Sequence, residues 1–316
     1  MAHQTHSTRP AALSRAFLYR TVRDFFTARD VVEVETPVLS TAGNTDPAIE
    51  SFRTMSEPPG WLRTSPEFFH KRLLARHGFD LFEIGKVFRQ GESGPRHNPE
   101  FSLLEWYRLG FSLSDLMQEV AQLLQAVFSA FGKKLQAPRF CRYGKVFTAH
   151  TGLSAFNAPL AALQAACHAA GYTGPDLSRD HCLDLLFSLK VQPRLPRDCA
   201  VFVSHYPASQ AALAQIDPDN EQQALRFECF VDGLELANGY QELTDADEQA
   251  RRFAADVRTR QLRDLPPVLP DQKFLAALES GLPACSGVAL GLDRLLMLVT
   301  GAASIEDVLW FPWDDS

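Results

Sequence analysis

The sequence predicts an α+β fold built on a largely antiparallel sheet. Three observations carry that expectation. Strand-like runs come in pairs joined by turn signals, DLFEIGKVFR with FSLLEWYRL and RFECFV with LELANGYQEL. Amphipathic helical stretches stand before, between and after these pairs, rather than alternating with single strands. The G-x-G-x-x-G turn of a dinucleotide-binding unit is missing, which disfavours a doubly wound parallel sheet.

Each element has a local reason. Residues 10–29 place Leu13, Phe17, Val22, Phe25 and Phe26 near helical spacing. VVEVETPVL follows as a β-branched strand, and Pro37 suits its edge or end. Residues 80–89 and 101–109 predict two antiparallel strands around QGESGPRHNPE. Ser114 is expected to cap a helix carrying Leu116, Val120, Leu124 and Phe128, with Gly132 as its stop. Residues 140–222 alternate short Ala-rich helices with one strand, AVFVSHYP, and are expected to form an insertion within a single catalytic domain spanning 1–316. Asp232-Gly233 predicts a tight hairpin. Thr244 is expected to cap the next helix, with Asp245 and Asp247 suited to its positive end. ACSGVALGLDRLLMLVTG predicts a strand, a glycine turn and a helix with Arg294 near its start.

The totals narrow the function classes. A net charge of −7 argues against non-specific attraction to nucleic acid or anionic membrane. The six cysteines are scattered without a C-x-x-C pair, as expected of reduced thiols in a cytosolic protein. MAHQTHSTRP is polar and has no signal-peptide core, and no apolar run reaches the length of a membrane span.

Three constellations hold the chemistry. On the first hairpin, Glu83, Gly85, Val87 and Arg89 share one strand face, and Phe101, Leu103, Glu105 and Tyr107 share another. If the register aligns those faces, Arg89 sits near a Phe, a Glu and a Tyr, an arrangement suited to gripping a phosphate and stacking a purine. The plain alternative is a surface Arg paired with Glu105 over a core Phe. On the second hairpin, Glu228 and Glu235 flank the Asp-Gly turn on one face, where a Mg²⁺ would relieve their repulsion. The plain alternative there is a pair of exposed glutamates. Strict alternation puts Asn238, Tyr240 and Glu242 opposite Glu235, so gathering them requires a bulge near Ala237-Asn238-Gly239. The third constellation is GVALGLDR, where small residues precede Arg294 at a helix start, a place that favours anions.

Together these stretches resemble the class II aminoacyl-tRNA synthetases. The first helix with EVETPVL is similar to the first class II motif, the dimer-interface element. FEIGKVFRQGESGPRHNPEFSLLEW is similar to the second and GVALGLDRLLML to the third. TSPEFF (64–69) and ELANGYQELTDADEQ (235–249) resemble the lysyl subgroup in particular. Full lysyl-tRNA synthetases carry an OB-fold anticodon-binding domain before the first motif. Here that motif begins near residue 10, so no such domain is expected. The chain resembles the stand-alone lysyl-type family that modifies translation elongation factor P.

That resemblance implies an ATP-dependent, AMP- and pyrophosphate-forming ligase in a cytoplasmic homodimer. It would activate (R)-β-lysine, or lysine, as an aminoacyl-adenylate and join it to a lysine side chain of elongation factor P; tRNA is not the expected acceptor. A truncated tRNA-charging enzyme and a non-catalytic regulatory paralogue are the alternatives. By motif, Arg89 and Arg294 are the implied catalytic residues, on the α-phosphate and γ-phosphate sides of ATP. Phe101 would stack on adenine, with Gln90, Gly91, His97, Asn98, Glu235, Leu236 and Gly291 completing the nucleotide site. Ser65, Pro66, Glu67, Glu105, Tyr107, Asn238, Glu242 and Ala289 would line the amino-acid pocket, and Glu228 and Glu235 would hold Mg²⁺. Two positions depart from the pattern. Gly91 stands where the second motif commonly has an acid, so contacts there are by backbone or Glu92 substitutes. Ala289 replaces the Gly usual in tRNA-charging lysyl enzymes, as in the elongation-factor-modifying family, and a methyl in a tight pocket is worth about 1 kcal/mol of discrimination.

Overall fold

The computed structural model describes residues 9–316, so most of the polar MAHQTHSTRP stretch lies outside the described residues. The chain begins with α1 (Arg9–Thr27), β1 (Val32–Glu33), β2 (Leu39–Ser40), β3 (Trp61–Leu62), α2 (Glu67–His77), β4 (Leu81–Phe88), β5 (Glu100–Leu109) and α3 (Leu113–Ala130). Next come β6 (Gln136–Arg142), α4 (Tyr143–Thr151), α5 (Leu160–Ala169), α6 (Arg179–Leu186), β7 (Cys199–Pro207) and β8 (Ile216–Asp217). The last elements are β9 (Asn220–Val231), β10 (Leu234–Gln241), α7 (Ala246–Leu262), α8 (Gln272–Glu279), β11 (Cys285–Gly291) and α9 (Leu292–Thr300). The fold is α+β, with helices packed on sheets whose strands pair mainly antiparallel.

Two compact units emerge, one from the described residues up to Phe111 with Ala126–Lys133 and Leu243–Ser316, the other from Ser112–Gln125 and Lys134–Glu242. In the first, the strand order is β1-β4-β5-β11. β1 runs parallel to β4, while β4–β5 and β5–β11 are antiparallel. Helix α1 covers this sheet. Phe26 stacks on Phe82 at 4.6 Å between ring centres and meets Trp106 edge-on, so the apolar spacing of the helix becomes a buried aromatic seam. A second seam joins Phe68, Phe253 and Phe274 of α2, α7 and α8.

In the second unit the order is β10-β9-β7-β6, with β8 on β9. Asp232 and Gly233 both adopt positive φ, the conformation a two-residue hairpin turn demands. Tyr143, Phe147, Phe187, Tyr206 and Phe230 form the aromatic centre of its core, under α4–α6.

Local details differ from expectation where neighbours decide. VVEVETPVL does not form one strand: only Val32–Glu33 pair with β4, and Leu39–Ser40 pair with β3. Ser112, not Ser114, accepts the N–H of Asp115 at the start of α3. Asp245, not Thr244, caps α7 through the N–H of Glu248. β6 is an additional strand, held parallel to β7. All six cysteines are free, and among the described residues no helix is long and apolar enough to cross a membrane.

Candidate active site

The first hairpin has the register that aligns its two functional faces. Val87 pairs with Phe101, Gly85 with Leu103 and Glu83 with Glu105. The Arg89 guanidinium therefore lies over the Phe101 ring, 5.2 Å from its centre. The carboxylate it meets is that of Glu92, at 3.6 Å, rather than Glu105. The loop is fastened at its root: the N–H of Arg89 donates to Pro99, and that of Gln90 to Glu50. Gly91 has φ +82°, with open space around it, so its glycine answers a backbone need at the position where an acid is usual. Asn98 is buried, donates to the Glu100 carbonyl at 2.6 Å and accepts the Trp313 N–H at 3.0 Å.

Arg294, in the first turn of α9 just after Gly291, reaches this loop. Its Nη2 is 2.7 Å from His97 Nε2, and its Nε donates to the Arg96 carbonyl at 3.3 Å. Burial pushes the His97 imidazolium down, and the neighbouring Arg294, Arg89 and Arg96 push it further. A neutral His97 among arginines leaves their positive charge available to an anion.

The adjacent face of the same unit is acidic. The register aligns Glu83, Glu105 and Ala289 in one row across β4, β5 and β11. Glu105 is buried and accepts hydrogen bonds from the hydroxyls of Ser65 at 2.7 Å and Tyr107 at 2.8 Å. Ser65 also receives the N–H of Glu67 at 3.0 Å, which ties the turn at Pro66 to the start of α2. Glu67 pairs with the fully buried Lys71 at 2.7 Å. Burial nevertheless holds the Glu67 carboxyl above its ordinary value, and the nearby Glu105 adds to the rise. The floor beneath was not foreseen. His70 Nε2 lies 2.9 Å from Glu83, which also meets Arg63 at 2.7 Å and Thr36 at 2.6 Å.

In the second unit, Glu235 pairs with Phe230, then the register shifts so that Ala237 pairs with Cys229 and Asn238 with Glu228. Leu236 is the extra residue, so the required bulge occurs one position before the stretch expected to hold it. It brings Glu228, Glu235, Asn238 and Tyr240 to one face. Glu242 continues that alternation and is fully buried beyond the end of β10, where the Ala214 bridge and Gln215, donating to its carbonyl, hold the backbone.

Glu228 accepts hydrogen bonds from Arg226 at 2.5 Å and Tyr206 at 2.7 Å. Arg226 also donates to Asn238. Burial raises the Glu228 carboxyl above its ordinary value, and repulsion from Glu235 raises it further. Both carboxylates line a cavity of about 170 Å³ that also meets Arg226, Tyr206, Asp184 and Tyr143. Two mutually repelling hard oxygen donors fit a Mg²⁺ that takes its other ligands from water and phosphate. Among the described residues no group of three or more His, Cys, Asp or Glu side chains is placed to hold a metal unaided.

Residues 3–315 match the family described as tRNA synthetases class II (D, K and N). The chain belongs to that family. Several relatives similar over nearly the whole chain are named elongation factor P–(R)-beta-lysine ligase. The one from Histophilus somni is 44% identical over 312 residues, covering 96% of this chain and 94% of the relative. That of Pectobacterium carotovorum is 42% identical over 323 residues and 98% of both chains, and that of Klebsiella pneumoniae 44% over 315 residues, 96% and 95%.

The class II signatures singled out Arg89, Phe101, Glu105, Glu228, Glu235 and Arg294 among the site candidates. His70, Arg63 and Arg226 were not among the candidates, and Glu83 was noted only for its strand face; His70 and Arg63 meet Glu83, and Arg226 meets Glu228. The one signal for Arg226 was its position two residues before Glu228, on the same strand face. His70 carried a comparable signal, three residues after Glu67 on the helix that bears it.

Proposed function

We propose that this chain uses ATP to activate (R)-β-lysine and transfers it to a lysine side chain of elongation factor P. The observation that carries the reading is the near-full-length similarity to ligases of that name. The acidic face of the first unit supports it: a substrate with two ammonium groups needs buried carboxylates, and Glu67 and Glu105 supply them.

In the first step the substrate carboxylate attacks the α-phosphorus of ATP, a new C–O–P linkage forms and pyrophosphate leaves. The nucleophile is already an anion, so positioning and charge neutralisation suffice. Arg89 holds the α-phosphate, Phe101 stacks beneath the adenine, and Arg294 takes the outer phosphates with His97 beside it. Gln90, Gly91, Asn98, Leu236 and Gly291 border the nucleotide. Ser65, Pro66, Tyr107, Asn238, Glu242 and Ala289 border the amino acid. Mg²⁺ bound by Glu228 and Glu235 would offset the charge of the phosphates. In the second step the acceptor lysine amine attacks the acyl carbon, AMP leaves, and the amine proton passes to solvent.

We read residues 140–222 as an insertion in a single catalytic domain, and the protein as a cytoplasmic homodimer formed through the first class II motif. The exposure of Val38 and Leu39 in that motif, and of Val32 beside it, supports the dimer. The test is incubation with ATP and α- or β-lysine, offering elongation factor P or tRNA. A mass gain on the protein is the expected result. Charged tRNA would reassign the acceptor, and absence of ATP–pyrophosphate exchange would refute the activation step.

A further inference from the structure

Glu105 and five other charged side chains are packed into one network. Arg63, His70 and Lys71 lie at 5% exposure or less, against Glu67, Glu83 and Glu105. His70 is fully buried and has a carboxylate at each ring nitrogen: Glu83 lies 2.9 Å from Nε2 and Glu105 3.4 Å from Nδ1. A neutral imidazole has one N–H and one lone pair, so one carboxylate would face a lone pair. An imidazolium donates to Glu83 and sets its second N–H beside Glu105, an attractive charge contact without a formed hydrogen bond at Nδ1.

Resting on the proposed function, we propose that His70 is a positioning residue whose proton is exchanged for the substrate's ammonium. The unliganded pocket holds an imidazolium between Glu83 and Glu105, and binding of a cationic amino acid releases that proton to solvent.

The charges around the ring come from four segments, while α8 sets the Phe274 ring against Lys71. β4 gives Glu83, and β5 gives Glu105 with Tyr107 edge-on, 5.5 Å between ring centres. The segment before α2 gives Arg63, and the one after β1 gives Thr36, both on Glu83. Its own helix gives Glu67 and Lys71. With His70 protonated, three cations meet three carboxylates. An ammonium arriving at Glu105 would leave a buried surplus of positive charge, and loss of the His70 proton restores the balance. The neutral ring keeps its short Nε2–H bond to Glu83 and turns its lone pair to the longer contact. Burial opposes the imidazolium, but its interactions with Glu105 and Glu83 outweigh it, so His70 titrates above its ordinary value.

The deciding measurement is calorimetric titration of the full chain with lysine and (R)-β-lysine, a non-hydrolysable ATP analogue present, in buffers of different ionisation enthalpy. Near about pH 7, where free imidazole is half-titrated or less, binding is expected to release close to one proton. Affinity should rise about tenfold per pH unit while the imidazolium is the resting form. His70→Gln, checked for native circular dichroism, should bind without proton release and with a flat pH profile. Binding by the unmodified protein with no proton release overturns this inference and leaves the proposed function standing, whether or not the variant folds. Full proton release retained by a folded His70→Gln also overturns it. Failure to bind either amino acid overturns the proposed function and this inference with it.

Discussion

In the first unit Glu83 meets Arg63, His70 and Thr36, and Glu67 meets Lys71. In the second unit Glu228 meets Arg226 and Tyr206 while Glu235 repels it. Both sets of acids are desolvated, yet Glu83 and Glu228 titrate in opposite directions. Against the cost of burial, its hydrogen bonds bring Glu83 down to about 2, whereas burial and Glu235 push Glu228 up. The difference separates two uses of buried charge. The first unit matches its acids with cations of its own and so keeps a fixed shape before any ligand arrives. The second sets Glu235 against Glu228, a repulsion that a cation brought with the nucleotide would relieve.

The sharpest way to break that comparison is to remove a built-in cation. Arg63→Met leaves Glu83 without its closest charged partner in a buried site, and we expect a loss of about 3–5 kcal/mol in unfolding free energy, measured by urea denaturation. An effect near zero would mean that the network is hydrated. Glu235→Gln attacks the other side. ATP–pyrophosphate exchange should fall by about 10²–10³, the size seen when one charge-stabilising group is lost. Its melting temperature without Mg²⁺ should hold or rise, because Glu228 is relieved of a repelling neighbour. A variant that loses stability but keeps its activity would contradict both parts.

The pH dependence sharpens the contrast further. Glu83 is depressed from 4.5 to about 2, so its contribution is complete above 4.5 and is lost as pH falls toward 2. That shift corresponds to roughly 3 kcal/mol for this buried carboxylate. Glu228 has the opposite sign: its contribution is complete below the ordinary carboxylate range and is lost as pH rises through its raised folded value. Denaturation of Glu83→Gln across the acid range should show a shallower loss than the unmodified protein, and an unchanged slope would remove Glu83 from the account. The smallest effect is expected at Ala289, in the same row as Glu83 and Glu105. Ala289→Gly removes one methyl and should shift the preference between α- and β-lysine by about 1 kcal/mol, read from the ratio of kcat/KM values.

Much of the hairpin geometry that carries the candidate residues was legible in advance. The Asp232-Gly233 turn fixed the pairing of Glu235 with Phe230, and the need to gather Asn238 and Glu242 with Glu235 pointed to a bulge. Its position at Leu236 was not legible, because any residue of the stretch could have been the extra one. The caps misplaced by one or two residues, Ser114 for Ser112 and Thr244 for Asp245, were choices among adjacent competent side chains that backbone direction decides. The VVEVETPVL strand was overextended because β-branched composition does not supply a neighbour along its whole length.

By itself the sequence determined the periodicities, the turns and the order of the class II motifs, since these depend on residues a few positions apart. Only the tertiary structure decided which charges face one another. Arg63, His70, Glu83 and Glu105 come from separate segments, and Arg15 meets Asp293 at 2.6 Å from the far end of the chain. Burial then sets the sign of each interaction, because a carboxylate removed from water is governed by the few groups that touch it.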